Sequence, residues 1–202
     1  MGCRMITVID AGIGNSQSVA NMVSFLGFEV EILSIPTKSA KYTHLILPGV
    51  GAFDSGMEKL NKTGWSSALK EIGSDIKLLG ICLGMHLLTS GSEEGSLPGL
   101  NLIDAECYRF ESGRAKVPHM GWNEVRAVKS NSLVPIDEPN QFFYFSHSFF
   151  VKTHLDNIST LKTSYDIDFD SGFESRNILG VQFHPEKSHK FGMNLLRNFA
   201  NL

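Results

Sequence analysis

Lys77-Leu78-Leu79-Gly80-Ile81-Cys82-Leu83-Gly84-Met85-His86-Leu87-Leu88-Thr89 decides the fold. Lys77–Ile81 is a short apolar run suited to a buried strand. Leu83–Thr89 opens a helix. Cys82 lies at the junction, bracketed by Gly80 and Gly84. A strand that turns directly into a helix is the repeating unit of a parallel sheet. The segments upstream repeat it. Met5–Ile9 reads as a strand, and Ser16–Leu26 as a helix with Ser16 as N-cap and Gly27 just past its end. Phe28–Leu33 and His44–Leu47 read as strands, Met57–Leu60 and Trp65–Ile72 as helical pieces. This alternation predicts an α/β fold: one domain over 1–202, an open, mainly parallel sheet with helices on both faces.

Downstream the pattern changes. Asn101–Tyr108, Glu124–Val128, Phe142–Phe145, Phe149–Thr153 and Leu161–Ser164 read as strands without intervening helices. They are expected to be extra antiparallel strands, extending the main sheet or forming a side sheet. Asn177–Phe183 reads as a further strand. His189–Phe199 is a closing helix with Phe191, Leu195, Leu196 and Phe199 at apolar positions. No internal repeat, low-complexity tract or linker is evident.

Gly-x-Cys-x-Gly at a strand-to-helix turn is the thiol counterpart of the serine nucleophile elbow. The turn is strained, and glycines beside it let neighbouring backbone pass without a Cβ clash. The sulfur is pushed toward substrate and lies over free N–H groups, which favour thiolate. The N–H of Leu83 is placed to hold an oxyanion. A buried cysteine is most often a small hydrophobe. The second motif changes that reading. His184-Pro185-Glu186 follows the strand Asn177–Phe183, where Pro185 ends the pairing. Residues two apart in extended chain share a side, so Glu186 is expected to reach the His184 ring. Cys82, His184 and Glu186 then form nucleophile, base and orienter for covalent acyl transfer.

On these residues the chain resembles the triad-type, class I glutamine amidotransferases. Asp10-Ala11-Gly12-Ile13-Gly14-Asn15, Leu47-Pro48-Gly49-Val50-Gly51-Ala52-Phe53, Pro118-His119-Met120-Gly121-Trp122-Asn123 and His184-Pro185-Glu186-Lys187-Ser188 are similar to one branch. That branch is the glutaminase subunits of imidazole glycerol phosphate synthase, HisH, which act in histidine biosynthesis. The resemblance runs from about Ile6 to Asn201. It implies that Cys82 attacks the glutamine carboxamide, releasing ammonia and leaving a thioester that water hydrolyses to glutamate. It implies oxyanion donors at Leu83 and in the loop Gly49, Val50 and Gly51. It places His86, Glu94, His147, Ser148 and Phe149 in the glutamine pocket, with Glu94 on the α-ammonium. It implies no cofactor and no metal. It also implies a heterodimer with a cyclase subunit, a (β/α)₈ barrel that receives the ammonia and activates the glutaminase, touched by Asn15, Trp122 and Lys187.

The chain departs from the pattern at three places. Four residues after the nucleophile the family normally has glutamine, and here stands His86, with a different reach and no carbonyl. Ala11 replaces a common tyrosine, and Thr89-Ser90-Gly91-Ser92 lacks the usual bulky residues. Two alternatives therefore stay open. One is a paralogous glutaminase feeding a surface-sugar amidotransferase. The other is a non-catalytic, amidotransferase-like regulatory module, which the intact triad disfavours.

Composition bounds the rest. Hydrophobic residues make up 42% and charged residues 19% of 202, ordinary for a globular chain. A net charge of −3 gives no reason to expect nucleic acid. No apolar run is long enough for a membrane span. Met1-Gly2-Cys3-Arg4 fails the myristoylation pattern, because Ile6 stands where Ser or Thr is needed. Cys3, Cys82 and Cys107 have no paired spacing, which points to a reducing cytoplasm. Cys3 and Cys107 read as inert. Gly12-Ile13-Gly14 lacks the third glycine of a dinucleotide-binding turn, since Gln17 occupies its place. His184, Glu186 and His189 lack the zinc-type cysteines of a metal site.

Overall fold

A computed structural model of the chain describes residues 5–37, 42–111 and 116–202. Cys3 and the Met1–Arg4 motif lie outside the described residues. The first half alternates as its hydrophobic pattern dictates: β1 (Met5–Ile9), α1 (Ser16–Phe25), β2 (Glu29–Leu33), β3 (His44–Gly49), α2 (Phe53–Thr63), α3 (Trp65–Lys70), β4 (Lys77–Cys82) and α4 (Leu83–Leu87). The second half is strand-rich: β5 (Gly91–Ser92), β6 (Ala105–Arg109), β7 (His119–Glu124), β8 (Arg126–Ala127), β9 (Phe142–His147), β10 (Phe149–Thr153), β11 (Ser159–Tyr165), β12 (Ile167–Ser175) and β13 (Ile178–Val181). A single 3₁₀ turn (Pro185–Lys187) and α5 (His189–Ala200) close the chain.

Among the described residues the main sheet has 11 strands, in the order β2-β1-β3-β4-β13-β12-β10-β6-β5, with β11 on β12 and β8 on β11. From β2 to β13 every pairing is parallel, and β12, β10 and β6 continue the sheet antiparallel. Both downstream expectations are realised, because β7 and β9 form a separate antiparallel ladder. Successive strand residues face opposite sides. Leu45 and Leu47 of β3 therefore join the core under α2, α3 and α4, with Met57, Trp65 and Leu87. Ile46 points the other way, into the core under α1 and α5, with Val19, Val23, Leu195 and Phe199. Each fully buried Leu or Ile contributes about 1.5–3 kcal/mol, so the two cores together hold the helices on both faces. No described helix is long and apolar enough to cross a membrane.

Several boundaries differ from the pattern reading. The N-cap of α1 is Asn15, whose side-chain oxygen accepts the Ser18 N–H at 3.1 Å, while Ser16 is the first helical residue. The strand expected from Asn101 begins only at Ala105. The expected Glu124–Val128 strand is split, its start ending β7 and its middle forming β8. β12 was hidden because Asp168 and Asp170 interrupt its apolar residues. Asp170 is buried, yet it accepts from Thr153 N–H (2.8 Å) and Ser159 Oγ (2.6 Å) and pairs with Lys162 Nζ (2.5 Å). Full partnering is what lets a carboxylate stand inside a sheet.

Candidate functional site

The parallel register sets Gly49 opposite Cys82 and Val181 opposite Ile81. The carboxyl ends of β3, β4 and β13 thus meet, where open α/β sheets place their ligand crevices. Cys82 has φ 53° and ψ −112°. That is strained for a residue with a side chain, and the surroundings must hold it there. The reason is close backbone packing. A Cβ on Gly84 would lie 1.8 Å from Leu47 O, and one on Gly49 would lie 2.7 Å from Gly84 N. Only glycines allow β3 and the start of α4 to come this near, and that contact fixes the turn.

His184 follows β13 and is buried. Its N–H donates to Tyr144 O at 2.9 Å. Its carbonyl accepts the Ser188 hydroxyl at 2.6 Å, and Ser188 Oγ in turn accepts the Tyr144 N–H at 3.0 Å. The ring Nδ1 meets Glu186 Oε1 at 2.8 Å, both side chains being buried. The contact is as expected but its cause is different. The segment is a 3₁₀ turn and not extended chain, so Glu186 folds back under the ring. Burial works against the imidazolium, but hydrogen bonds to Cys82 and Glu186, with their charges, lift His184 to about 9.

Cys82, Leu83, His86 and His184 line a cavity of about 340 Å³ together with Val50, Gly51, Glu94, Pro118, Ser146, His147, Ser148, Phe149 and Lys187. Nearly every residue singled out for chemistry or substrate is therefore at one place. Gly49 sits behind the wall, packed on Gly84. The Val50 N–H donates to Ile13 O at 2.5 Å, so in this conformation it is not offered to the cavity. Leu83 opens α4, where the first N–H groups have no helical partner. A larger cavity of about 1100 Å³ lies against Tyr108, Arg109, Phe150, Lys152 and Asp166.

The polar residues of the site are tightly wired. Glu94 Oε2 accepts the Phe53 N–H at the start of α2 (2.9 Å). Burial raises its carboxyl, the Phe53 N–H works against that, and the charge of Asp54 adds to it. His147 Nδ1 donates to Phe149 O at 2.7 Å, so its Nε2 accepts from His119 Nδ1 at 2.9 Å. Both ring nitrogens are occupied, so His147 meets the cavity with its ring and not with a free nitrogen. His119 is stacked between Tyr165 and Phe145, with ring centroids 3.9 and 4.6 Å away. Burial holds His119 at about 4 and His147 well below its ordinary value. His86 is buried and held neutral, at about 4, by the same desolvation. Its Nε2 donates to Gln182 Oε1 at 2.8 Å. Gln182 is fully buried and was not singled out from sequence. The available signal was one polar residue in the apolar run Ile178–Phe183.

Beside the cavity mouth, Trp122 is 47% exposed and stacks on His189 with centroids 5.4 Å apart. Lys187 Nζ stands 5.7 Å from the Tyr144 ring centroid, and Tyr144 also meets Trp122 edge-on. Met120 is exposed on the same strand as Trp122. Asn15 is exposed, its side-chain oxygen occupied as the cap of α1, and α1 packs on the 3₁₀ turn that carries Lys187. Cys107 is buried, its thiol pushed up to about 12 by desolvation, in keeping with an inert role.

Comparison with known proteins adds a second line of observation. The family described as Glutamine amidotransferase class-I matches residues 7–202. A curated relative from Methanococcus maripaludis, imidazole glycerol phosphate synthase subunit HisH 2, is 48% identical, covering 96% of this chain and 98% of its own. The HisH subunit of Bdellovibrio bacteriovorus is 41% identical, covering 98% of this chain and 100% of its own. Among solved structures, one titled glutamine amidotransferase superposes with a TM-score of 0.75 at 18% identity, covering 98% of this chain and 99% of that one. PurLQS from Thermotoga maritima gives 0.69 at 18% identity, with 98% of each chain covered. The structural likenesses speak to the fold alone.

Proposed function

This chain belongs to the class-I glutamine amidotransferase family, among the HisH subunits of imidazole glycerol phosphate synthase, and from that membership we propose that Cys82, His184 and Glu186 are its glutaminase triad. The observation that carries the assignment is the strained Cys82 turn sharing one cavity with a His184 ring clamped by Glu186. His184, lifted to about 9, holds the proton of the Cys82–His184 pair while sulfur attacks the carboxamide carbon of glutamine. The same proton passes to the departing nitrogen, which leaves as ammonia. Water then attacks the γ-glutamyl thioester, gives its proton to His184, and releases glutamate and the thiol. Glu186 holds the imidazole tautomer and offsets the charge that develops on it.

Two tetrahedral oxyanions form on this path. The Leu83 N–H is one donor. Gly51, at φ 103° on the cavity wall, supplies the loop donor while Val50 is held by Ile13. One such donor is worth about 10²–10³-fold in rate. Glu94 receives the substrate α-ammonium, the charge its carboxylate best complements in a cavity whose other charged groups, His184 and Lys187, are cations. His86, His147, Ser148 and Phe149 shape the rest of the pocket. Ammonium is not a nucleophile, so the released ammonia must reach its acceptor without meeting bulk water. The partner is the cyclase subunit, a (β/α)₈ barrel making imidazole glycerol phosphate for histidine. It docks over Asn15, Trp122 and Lys187 at the cavity mouth.

The test is glutamate formation from glutamine with and without the histidine-pathway cyclase and its nucleotide ligand, with Cys82→Ala as control. Cyclase-dependent turnover that Cys82→Ala abolishes is the expected result. Turnover surviving in Cys82→Ala refutes the triad. A Cys82 adduct with a glutamine analogue but no stimulation by the cyclase refutes the pathway and favours a sugar-modifying acceptor.

A further inference from the structure

Gln182 follows β13, its N–H bonded to Ser171 O at 3.0 Å, and its side chain is wholly buried. A buried carboxamide needs partners at both ends. Its Oε1 takes the Nε2–H of His86 at 2.8 Å. Its Nε2 stands 3.9 Å from Cys82 Sγ, within reach for an N–H···S hydrogen bond. A carboxamide can turn end for end, and the two orientations differ in consequence. With nitrogen toward sulfur it supports a thiolate. With oxygen toward sulfur it repels one. The neighbour is His86, whose Nε2 faces Oε1 and, in the tautomer that carries the proton there, holds the amide with its nitrogen toward sulfur.

We propose that Gln182 is a hydrogen-bond donor to the Cys82 thiolate, and that His86 is a positioning residue that locks its amide in the donating orientation. Rested on the glutaminase reading, this gives the sulfur two flanking groups: His184, which carries the proton, and Gln182, which carries none. A donor to the charged form favours that form. It also turns the departure at His86 into a device. The imidazole lines the cavity and spends its Nε2 on Gln182. The other titratable groups around the sulfur are His147 on β9, Glu94 just after β5, Lys187 on the 3₁₀ turn, and Glu186 behind His184. None of them is altered by the variants below.

The experiment is iodoacetamide alkylation of Cys82 across pH in the full chain, followed by mass of the Cys82 peptide. Gln182→Met keeps the buried volume and removes the donor. His86→Leu removes the lock, and His86→Gln restores a donor to Gln182. Gln182→Met is expected to slow alkylation near neutral pH by about tenfold and move the profile toward alkaline pH, the size of one hydrogen bond to a charged group. His86→Leu should move it the same way, and His86→Gln should return it toward the parent. In turnover with the cyclase, Gln182→Met should lower kcat with little change in KM. A Gln182→Met profile superposing on the parent overturns the proposal. So does a His86→Leu profile that His86→Gln fails to restore. The underlying reading is checked separately on the parent chain. Failure of a glutamine-like electrophile to label Cys82 sinks the glutaminase assignment, whatever the alkylation profiles show.

Discussion

Replacing Glu186 by Gln tests the proposed triad at the member that does not line the cavity. In the parent chain burial alone draws the His184 imidazolium down. Cys82 and Glu186 reverse this and hold it at about 9 against an ordinary 6.5. The net preference is about 3 kcal/mol. Glu186→Gln keeps the shape and one hydrogen bond but removes the charge. A hydrogen bond to a charged group is worth about 1.5–3 kcal/mol, so kcat/KM should fall about 10- to 100-fold. Most of the loss should be in kcat, because Glu186 lies beneath the ring and away from the pocket. Stability has a matching signature. A raised folded-state value adds stability that is complete below 6.5 and is lost as pH rises through about 9. Urea unfolding from pH 6 to 10 should show that alkaline loss in the parent and less of it in the variant. Glutamate formation with the cyclase present gives the kinetic half. A folded Glu186→Gln protein with kcat/KM within about twofold of the parent refutes the clamp.

Four further outcomes are expected. Cys82→Ala should bind glutamine and dock its partner but release no ammonia, as a coupled glutamate assay would show. Gly84→Ala forces a Cβ to 1.8 Å from Leu47 O and should destabilise the fold by roughly 3–5 kcal/mol in urea unfolding; an unmoved midpoint would mean that the β3–α4 contact yields easily. His86 is held at about 4 when folded, so its contribution is present above 6.5 and lost as pH falls toward 4, by about 3 kcal/mol. His86→Gln should therefore soften the acid-induced loss of stability, and equal acid sensitivity in both chains would exclude this source. Trp122→Ala removes a half-exposed aromatic ring of the proposed interface and should weaken cyclase binding by about 30-fold in titration calorimetry, with Lys187→Ala affecting activation as well; unchanged affinity would move the interface elsewhere.

Much of this was legible in the order of residues. Strand and helix period, and the glycine bracket around Cys82, suffice to place Cys82 at the end of a parallel strand, because those constraints are local. His184-Pro185-Glu186 was readable for the same reason, although the turn that joins the two side chains was read as extended chain. β12 escaped, since Asp168 and Asp170 argue against a strand until Thr153, Ser159 and Lys162 arrive from other strands to partner Asp170. Gln182 escaped as well. Its meaning lies in His86 and Cys82, 96 and 100 positions away along the chain and within 4 Å in space. Likewise only the folded loop shows that the Val50 N–H is taken by Ile13. The sequence by itself determined which residues are candidates for the chemistry and on what kind of element they sit, because strain, capping and periodicity act over a few residues. Tertiary structure alone decided which polar groups are neutral, which donors are free and which are already occupied, because desolvation and hydrogen bonding depend on neighbours that the chain order does not name.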